Sequence, residues 1–251
     1  MTELTIGIAT CGRPRTLKRC IRSINRYTKT PYKLIILDNA KAFTKDKRAH
    51  VENFLGITHK LIDIKNKKIG CSESNNLIAE ACRTDYLMHM DDDVIIRSNV
   101  IDVMFEYIKN NKEMIVGCKW NDRSYGRFRP SITEYIVKEN EGKKILSKKT
   151  YYSNDKGWAN TDELNHSMIL NMKLYDKVKW DNNFIWKGDR VDFFYQCKIN
   201  NIQPKVYLDD YVEHTPAPFK YGSIKKQQSA EEAKQYFENK WNIIPNMGWK
   251  V

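Results

Sequence analysis

Thr84-Asp85-Tyr86-Leu87-Met88-His89-Met90-Asp91-Asp92-Asp93-Val94-Ile95-Ile96 decides the reading of this chain. The stretch has the form of a short buried strand that runs into three consecutive carboxylates and then turns apolar again. Adjacent ionised Asp side chains repel one another and are costly to hold at a strand end without a counter-charge. A hard divalent cation bound by oxygen ligands is the simplest remedy, and such an ion commonly bridges to substrate phosphates. The plainer alternative is a solvated acidic turn or a helix N-cap, since Asp is favoured in both. The segments on either side decide between them.

Upstream, Leu4 to Ala9 is an apolar β-like run that ends at Thr10-Cys11-Gly12-Arg13-Pro14. Pro14 stands where a helix can start, and Leu17, Cys20, Ile21 and Ile24 follow at helical spacing. Lys33 to Leu37 is a second strand, closing on Asp38-Asn39. A polar helix is expected over residues 44–55 and a third strand over His59 to Ile64. Gly70-Cys71-Ser72 with Asn75-Asn76 opens another helix, and the acidic strand comes next. A helix capped by Ser98 and a strand over Met114 to Cys118 complete the first half. Strands alternating with helices predict an α/β fold with a mostly parallel sheet flanked by helices on both faces. Ligands of such sheets bind beyond the carboxyl ends of the strands, which lines up Thr10, Asp38 and the Asp triplet on one edge.

The second half differs in texture. Residues 121–152 read as a basic hairpin with Arg123, Arg127, Arg129 and a Glu141-Gly142-Lys143-Lys144 turn. A strand over Ser167 to Asn171 and a short helix over Lys173 to Lys177 precede an aromatic cluster, Trp180, Phe184 and Trp186. Gly188-Asp189 begins a helix with Val191, Phe194, Tyr195 and Ile199 periodic along it. Two strands, Lys205 to Leu208 and Val212 to His214, and a helix over Ala230 to Trp241 follow. The expectation is a single domain, with residues 1–120 as one lobe and residues 121–251 as a smaller lobe ending in the C-terminal helix.

Composition bounds the partners. The 251 residues are 41% hydrophobic, enough for one large core or two small ones, and carry a formal net charge of +12. That excess points to an anionic partner such as nucleic acid, an acidic membrane face or a phosphorylated substrate; a merely solubilising Lys-rich surface is the alternative. No apolar run is long enough to span a bilayer. Met1-Thr2-Glu3-Leu4 leads straight into a strand without a signal-like segment, so the expected location is cytoplasmic, with peripheral contact to an anionic membrane as an option. The six cysteines form no C-x-x-C pair and are expected to be buried free thiols.

In this order and spacing, Thr10-Cys11-Gly12-Arg13-Pro14-Arg15-Thr16-Leu17, Leu37-Asp38-Asn39, Gly70-Cys71-Ser72 with Asn75-Asn76, and Met90-Asp91-Asp92-Asp93-Val94 resemble a family 2-type glycosyltransferase of the GT-A fold. The resemblance spans about residues 4–214. It implies a UDP-sugar donor, a Mn²⁺ or Mg²⁺ cofactor and a D-x-D motif. Thr10 and Arg13 would lie near the uridine or its phosphates, Asp38 would accept from the base, and Asn75 would contact the nucleotide or order the metal motif. Each has a local alternative: a charge at a helix start for Arg13, a strand-end turn for Asp38, a buried amide for Asn75. Arg13 as a helix-start charge opposes the helix dipole, which a bound anion would explain.

Extended alternation would put Asp91 and Asp93 on one face with Asp92 opposite. By resemblance, Asp93 binds the metal directly, Asp91 contacts ribose or a metal-bound water, and His214 falls where a third metal ligand is often found; a structural histidine is the other option. The family's G-E-D-x-D region corresponds to Trp186-Lys187-Gly188-Asp189-Arg190-Val191-Asp192-Phe193-Phe194, where Arg190 replaces the second acid. That leaves Asp192, ranked first, and Asp189 as candidate general base; an N-cap after Gly188 is the competing role for Asp189. Arg127, Arg129 and Lys220 could touch phosphates or the acceptor, with solvated surface charges as the favoured reading of each. The implied activity is inverting transfer to an acceptor hydroxyl of a glycan or glycolipid. The alternatives are a hydroxylated base of DNA as acceptor, a nucleotidyltransferase, or a non-catalytic binding module.

Overall fold

The computed structural model describes residues 4–11, 13–38, 59–63, 69–123, 126–185, 187–216 and 228–247. The helix expected over residues 44–55, and Asn39, Trp186 and Lys220, lie outside them.

Apolar, β-branched runs build the centre. Strands β1 (Leu4–Thr10), β2 (Tyr32–Asp38), β3 (His59–Asp63) and β4 (Tyr86–Asp91) pair in parallel in the order β3-β2-β1-β4. Register places Thr10 beside Asp38, Asp38 beside Asp63, and Asp91 beside Ala9, so their carboxyl ends share one edge. Beyond β4 the sheet continues with β11 (Ser167–Asn171), β6 (Ile115–Asp122), β12 (Lys205–His214) and β10 (Trp158–Asn160). β11 runs antiparallel to both β4 and β6, whereas β12 is parallel to β6. Short strands β5 (Val94–Ile95) and β7 (Arg127–Phe128) pair with β12 and β6. Four strands from beyond residue 120, β7, β10, β11 and β12, therefore complete the sheet begun by the first half. The two strands expected over 205–214 are one strand with a register shift between Tyr207 and Tyr211, which carries His214 on to the acidic edge.

Alternation along the strands separates two cores. On one face Ile6, Ile8, Met88, Met90 and Val116 meet helices α1 (Pro14–Tyr27) and α3 (Val100–Asn111). On the other, Ile35, Leu37 and Leu87 meet α2 (Cys71–Ala81). Met168 and Leu170 pack there with α4 (Asp189–Ile199) and α5 (Ala230–Trp241). A second sheet, β13 (Ile243–Asn246), β9 (Lys143–Tyr151) and β8 (Ile132–Asn140), contains the expected hairpin. Pro14 occupies the first turn of α1, as its fixed φ allows. α5 begins with a capping box between Ser229 and Glu232. Asn99, rather than Ser98, precedes α3, and along α4 Val191, Phe194 and Tyr195 are buried while Ile199 at its end is exposed. All six cysteines are free thiols, and Cys71 is the one that is not fully buried.

Candidate active site

The acidic stretch divides where the strand ends. β4 stops at Asp91, and Asp92 and Asp93 form the turn into β5, so strict alternation fails at the triplet. The three carboxylates acquire different surroundings as a result. Asp92 is fully buried and accepts from Thr10 Oγ1 at 2.6 Å and from Arg13 Nε at 3.2 Å, with Arg13 Nη2 on its other oxygen. Arg13 Nη1 reaches Asp93 Oδ2 at 2.9 Å. Thr10 and Arg13, expected at the nucleotide, thus hold the acidic turn in this structure. The charge that opposes the α1 dipole is matched by anions, as anticipated, but they are the protein's own carboxylates.

Burial lifts the Asp92 carboxyl to about 7, against the opposing pull of Arg13 and the Thr10 hydroxyl. The folded chain therefore holds a proton on Asp92 in a range where the unfolded chain, titrating near 3.8, has lost it. With more protons bound to the folded state, stability falls as pH rises through that window. We expect the urea midpoint to drop between about pH 4 and about pH 7, and Asp92→Asn to flatten that slope. A wild-type midpoint that rises through the window contradicts this.

Asp91 is also raised to about 7, by burial and then by the Asp93 charge, while His214, Arg13 and Arg190 act against the rise. His214 Nε2 lies 3.5 Å from Asp93 Oδ1, and its Nδ1 accepts from Arg129 Nη2 at 3.1 Å. Arg129 also pairs with Asp122 at 2.9 Å. An arginine can only donate, so this arrangement puts the proton of a neutral His214 on Nε2, towards Asp93. Ligation of a cation through Nε2 requires the other tautomer. Asp122 Oδ1 stands 3.5 Å from Nδ1, with no hydrogen bond of its own among the described residues, and can accept that proton. Asp122 was not singled out from the sequence, and Arg129, favoured there as a surface charge, stands beside His214.

The opposite wall comes from α2 and α4. Gly70 lies so close to Ile185 that an added Cβ would fall 2.5 Å from the Ile185 carbonyl oxygen, and the Cys71 N–H donates to that oxygen at 3.0 Å. Asn75 is 7% exposed, and its Nδ2 lacks a partner among the described residues, a costly orphan donor unless a ligand accepts from it. Asn76 is instead occupied with the Trp180 carbonyl and Asn182. Gly188, with φ of 83°, turns the chain so that Asp189 starts α4. Asp189 is buried, and its carboxyl is raised by burial, with the Asp91 charge adding to the rise against His166 and Arg190. Burial and then the Asp189 and Asp91 carboxylates also hold the Cys71 thiol well above its ordinary range, so both acids act on Cys71.

Asp192 lies elsewhere. It is fully buried and accepts from Trp241 Nε1 at 2.7 Å, Gln196 Nε2 at 2.8 Å and Lys240 Nζ at 2.8 Å. Three residues along α4 from Asp189, it faces the C-terminal helix, with its lone pairs occupied by these donors. The first-ranked base of the sequence reading is in this structure the anchor of α5. Arg190, standing where a second acid was expected, pairs with Glu163 at 2.6 Å, and Lys148 pairs with the same carboxylate at 2.7 Å. Burial alone would raise Glu163, but these two cations bring it down to about 2. Asp38, 4% exposed, closes the row at the end of β2.

A sheet of this order, with an acidic turn at its carboxyl edge and an acid-bearing helix opposite, is the GT-A fold of glycosyltransferases. The model of glycosyl transferase family 2 matches residues 5–179, and the chain belongs to that family. Over 260 aligned residues it is 25% identical to an uncharacterized glycosyltransferase, MJ1057, of Methanocaldococcus jannaschii, which covers 99% of this chain and 84% of the relative. Staphylococcus aureus TarS 1–349 in complex with UDP-GlcNAc superposes with a TM-score of 0.67 at 10% identity, over 94% of this chain and 64% of that one. GalNAc-T7 with UDP, GalNAc and Mn²⁺ gives a TM-score of 0.69 at 10% identity, over 96% of this chain and 50% of that one. The chain thus spans between half and two thirds of these two solved structures. Family membership sets aside the nucleotidyltransferase reading. Among the described residues, no helix is long and apolar enough to cross a membrane.

Proposed function

We propose that this glycosyltransferase moves a sugar from a UDP-sugar to a hydroxyl of a glycan or glycolipid, with inversion and with the help of Mn²⁺ or Mg²⁺. The observation that carries the reading is the meeting of Asp91, Asp93 and His214 with Asp189 at the carboxyl edge of the sheet, where Asp91 is lifted to about 7. Among the described residues, no three His, Cys, Asp or Glu side chains form a cation site by themselves. The donor set still fits a shared ion: Asp91 and Asp93 repel one another, His214 has Asp122 to orient it, and a diphosphate would supply further oxygens. Asp91, Asp93 and His214 would hold the cation, which when bound supplies positive charge against the departing diphosphate.

The remaining work falls to the chain. Asp38 and Asn75 bind the nucleotide, a role that the Asn75 Nδ2 supports by having no partner among the described residues. Arg13 keeps Asp92 and Asp93 in the turn. Asp189, its basicity raised by burial, removes the acceptor proton. The UDP and Mn²⁺ bound to structural neighbours support this choice of donor and metal.

A thermal-shift panel of nucleotide sugars with and without Mn²⁺ tests the reading. UDP-linked sugars are expected to raise the melting temperature only with the cation, by the equivalent of about 2.7 kcal/mol at a hundredfold excess over Kd. Stabilisation by other nucleotides alone, or the same shift in the presence of a chelator, rejects it.

A further inference from the structure

We propose that the outer face of α1 is a docking ridge for an anionic lipid bilayer. Helix α1 reads Pro-Arg-Thr-Leu-Lys-Arg-Cys-Ile-Arg-Ser-Ile-Asn-Arg-Tyr and contains no Asp or Glu. Leu17, Cys20, Ile21 and Ile24 bind it to the sheet, which turns Arg15, Lys18, Arg19, Arg22 and Arg26 outward. These positions recur every three to four residues, so the cations form one line of about 16 Å at 1.5 Å per residue. Like charges at these spacings destabilise a helix. Arg15, Arg19 and Arg26 are exposed and have no ion pair among the described residues. The neighbouring helix on the same face, α3, mixes signs with Asp102, Glu106 and Lys109. The uniform charge is therefore a property of α1, and it accounts for a large share of the formal +12.

Charge complementarity requires a polyanion, and the shape of the ridge selects a membrane plane. The apolar side of α1 is committed to the sheet, so the helix lies flat and presents only a convex row of cations. That row offers little to read or stack on bases: its one amide, Asn25, already accepts from the Tyr32 hydroxyl. None of the exposed large hydrophobic residues, Phe128, Val137, Tyr152 and Ile199, belongs to α1. Adsorption by charge, without insertion, is the mode this composition allows. Arg13, one residue before α1, holds the acidic turn, so a bilayer on the ridge would lie beside the entrance to the site. The proposal does not depend on the donor or acceptor assigned above.

Co-sedimentation of the full chain with vesicles of phosphatidylcholine, with or without phosphatidylglycerol, tests it. The chain should pellet with the anionic vesicles only, and high salt should release it. Each Lys or Arg at such a surface contributes about fivefold in partitioning, so Arg15→Gln, Arg19→Gln and Arg26→Gln combined should weaken binding about a hundredfold. All three are exposed, and an unchanged melting temperature confirms that the variant is folded. A control that removes charge from the hairpin turn, Lys143→Gln with Lys144→Gln, should bind nearly as well as wild type. Equal loss in the control, no loss in the triple variant, no binding to anionic vesicles, or release from them by an equal phosphate concentration of duplex DNA would each overturn the proposal.

Discussion

Replacing Asp189 by Asn is expected to lower turnover about a hundred- to ten-thousandfold while leaving UDP affinity within a few fold. The carboxylate sits in the first turn of α4, set by the left-handed Gly188. Burial raises its proton affinity, and the Asp91 charge adds to the effect. The amide keeps the shape and the N-terminal polarity of the side chain but cannot take a proton. The loss should therefore appear in kcat at saturating donor, with the circular dichroism and melting profile close to wild type. Turnover within a few fold of wild type would show that Asp189 only caps the helix, which its position also suits.

The frame of the molecule was legible where a periodic pattern coincided with a chemical stop signal. β1 ends at Thr10, α1 begins at Pro14, and α5 runs from Ala230 to Trp241 behind Ser229, because alternation, helical spacing and capping residues are properties of neighbours in sequence. β11 was legible as a strand but not as the antiparallel element between β4 and β6, since a five-residue apolar run pairs equally well in either direction. The site divides in the same way. Asp93 and His214 meet because β5, directly after the acidic turn, pairs with the end of β12 and sets His214 opposite Val94, a pairing that alternation within either strand does not specify. Spacing cannot show which carboxylates are already matched by cations. Asp192 finds Lys240 and Trp241 almost fifty residues downstream, and Arg190 finds Glu163 on the far side of β11. Lys240 and Glu163 are ordinary-looking charges until the chain is folded, so one sequence could not show that Asp192 is bound by α5 in this structure.

Asp192→Ala should then be a stability variant, and its effect should be large. Removing one partner of a buried ion pair costs about 3–5 kcal/mol, because the remaining charge keeps its desolvation penalty and loses its compensation. Here Lys240 retains Asp181 at 2.8 Å, which places the expected loss towards the lower end, while the Trp241 indole N–H and the Gln196 amide lose their acceptor. Asp181 also accepts from the Tyr236 hydroxyl, and Gln228 accepts from the Ile185 N–H, so loosening α5 should also loosen the loop that leads to Gly188. A double-mutant cycle with Lys240→Met separates the pair from its surroundings: the double variant should recover part of the loss, because neither charge is then left unmatched. Urea unfolding gives the free energies, and turnover normalised to the folded fraction should stay within a few fold of wild type. If Asp192→Ala kept its full stability but lost its turnover, the carboxylate would be the base after all, and α5 would have to move away from it during the catalytic cycle.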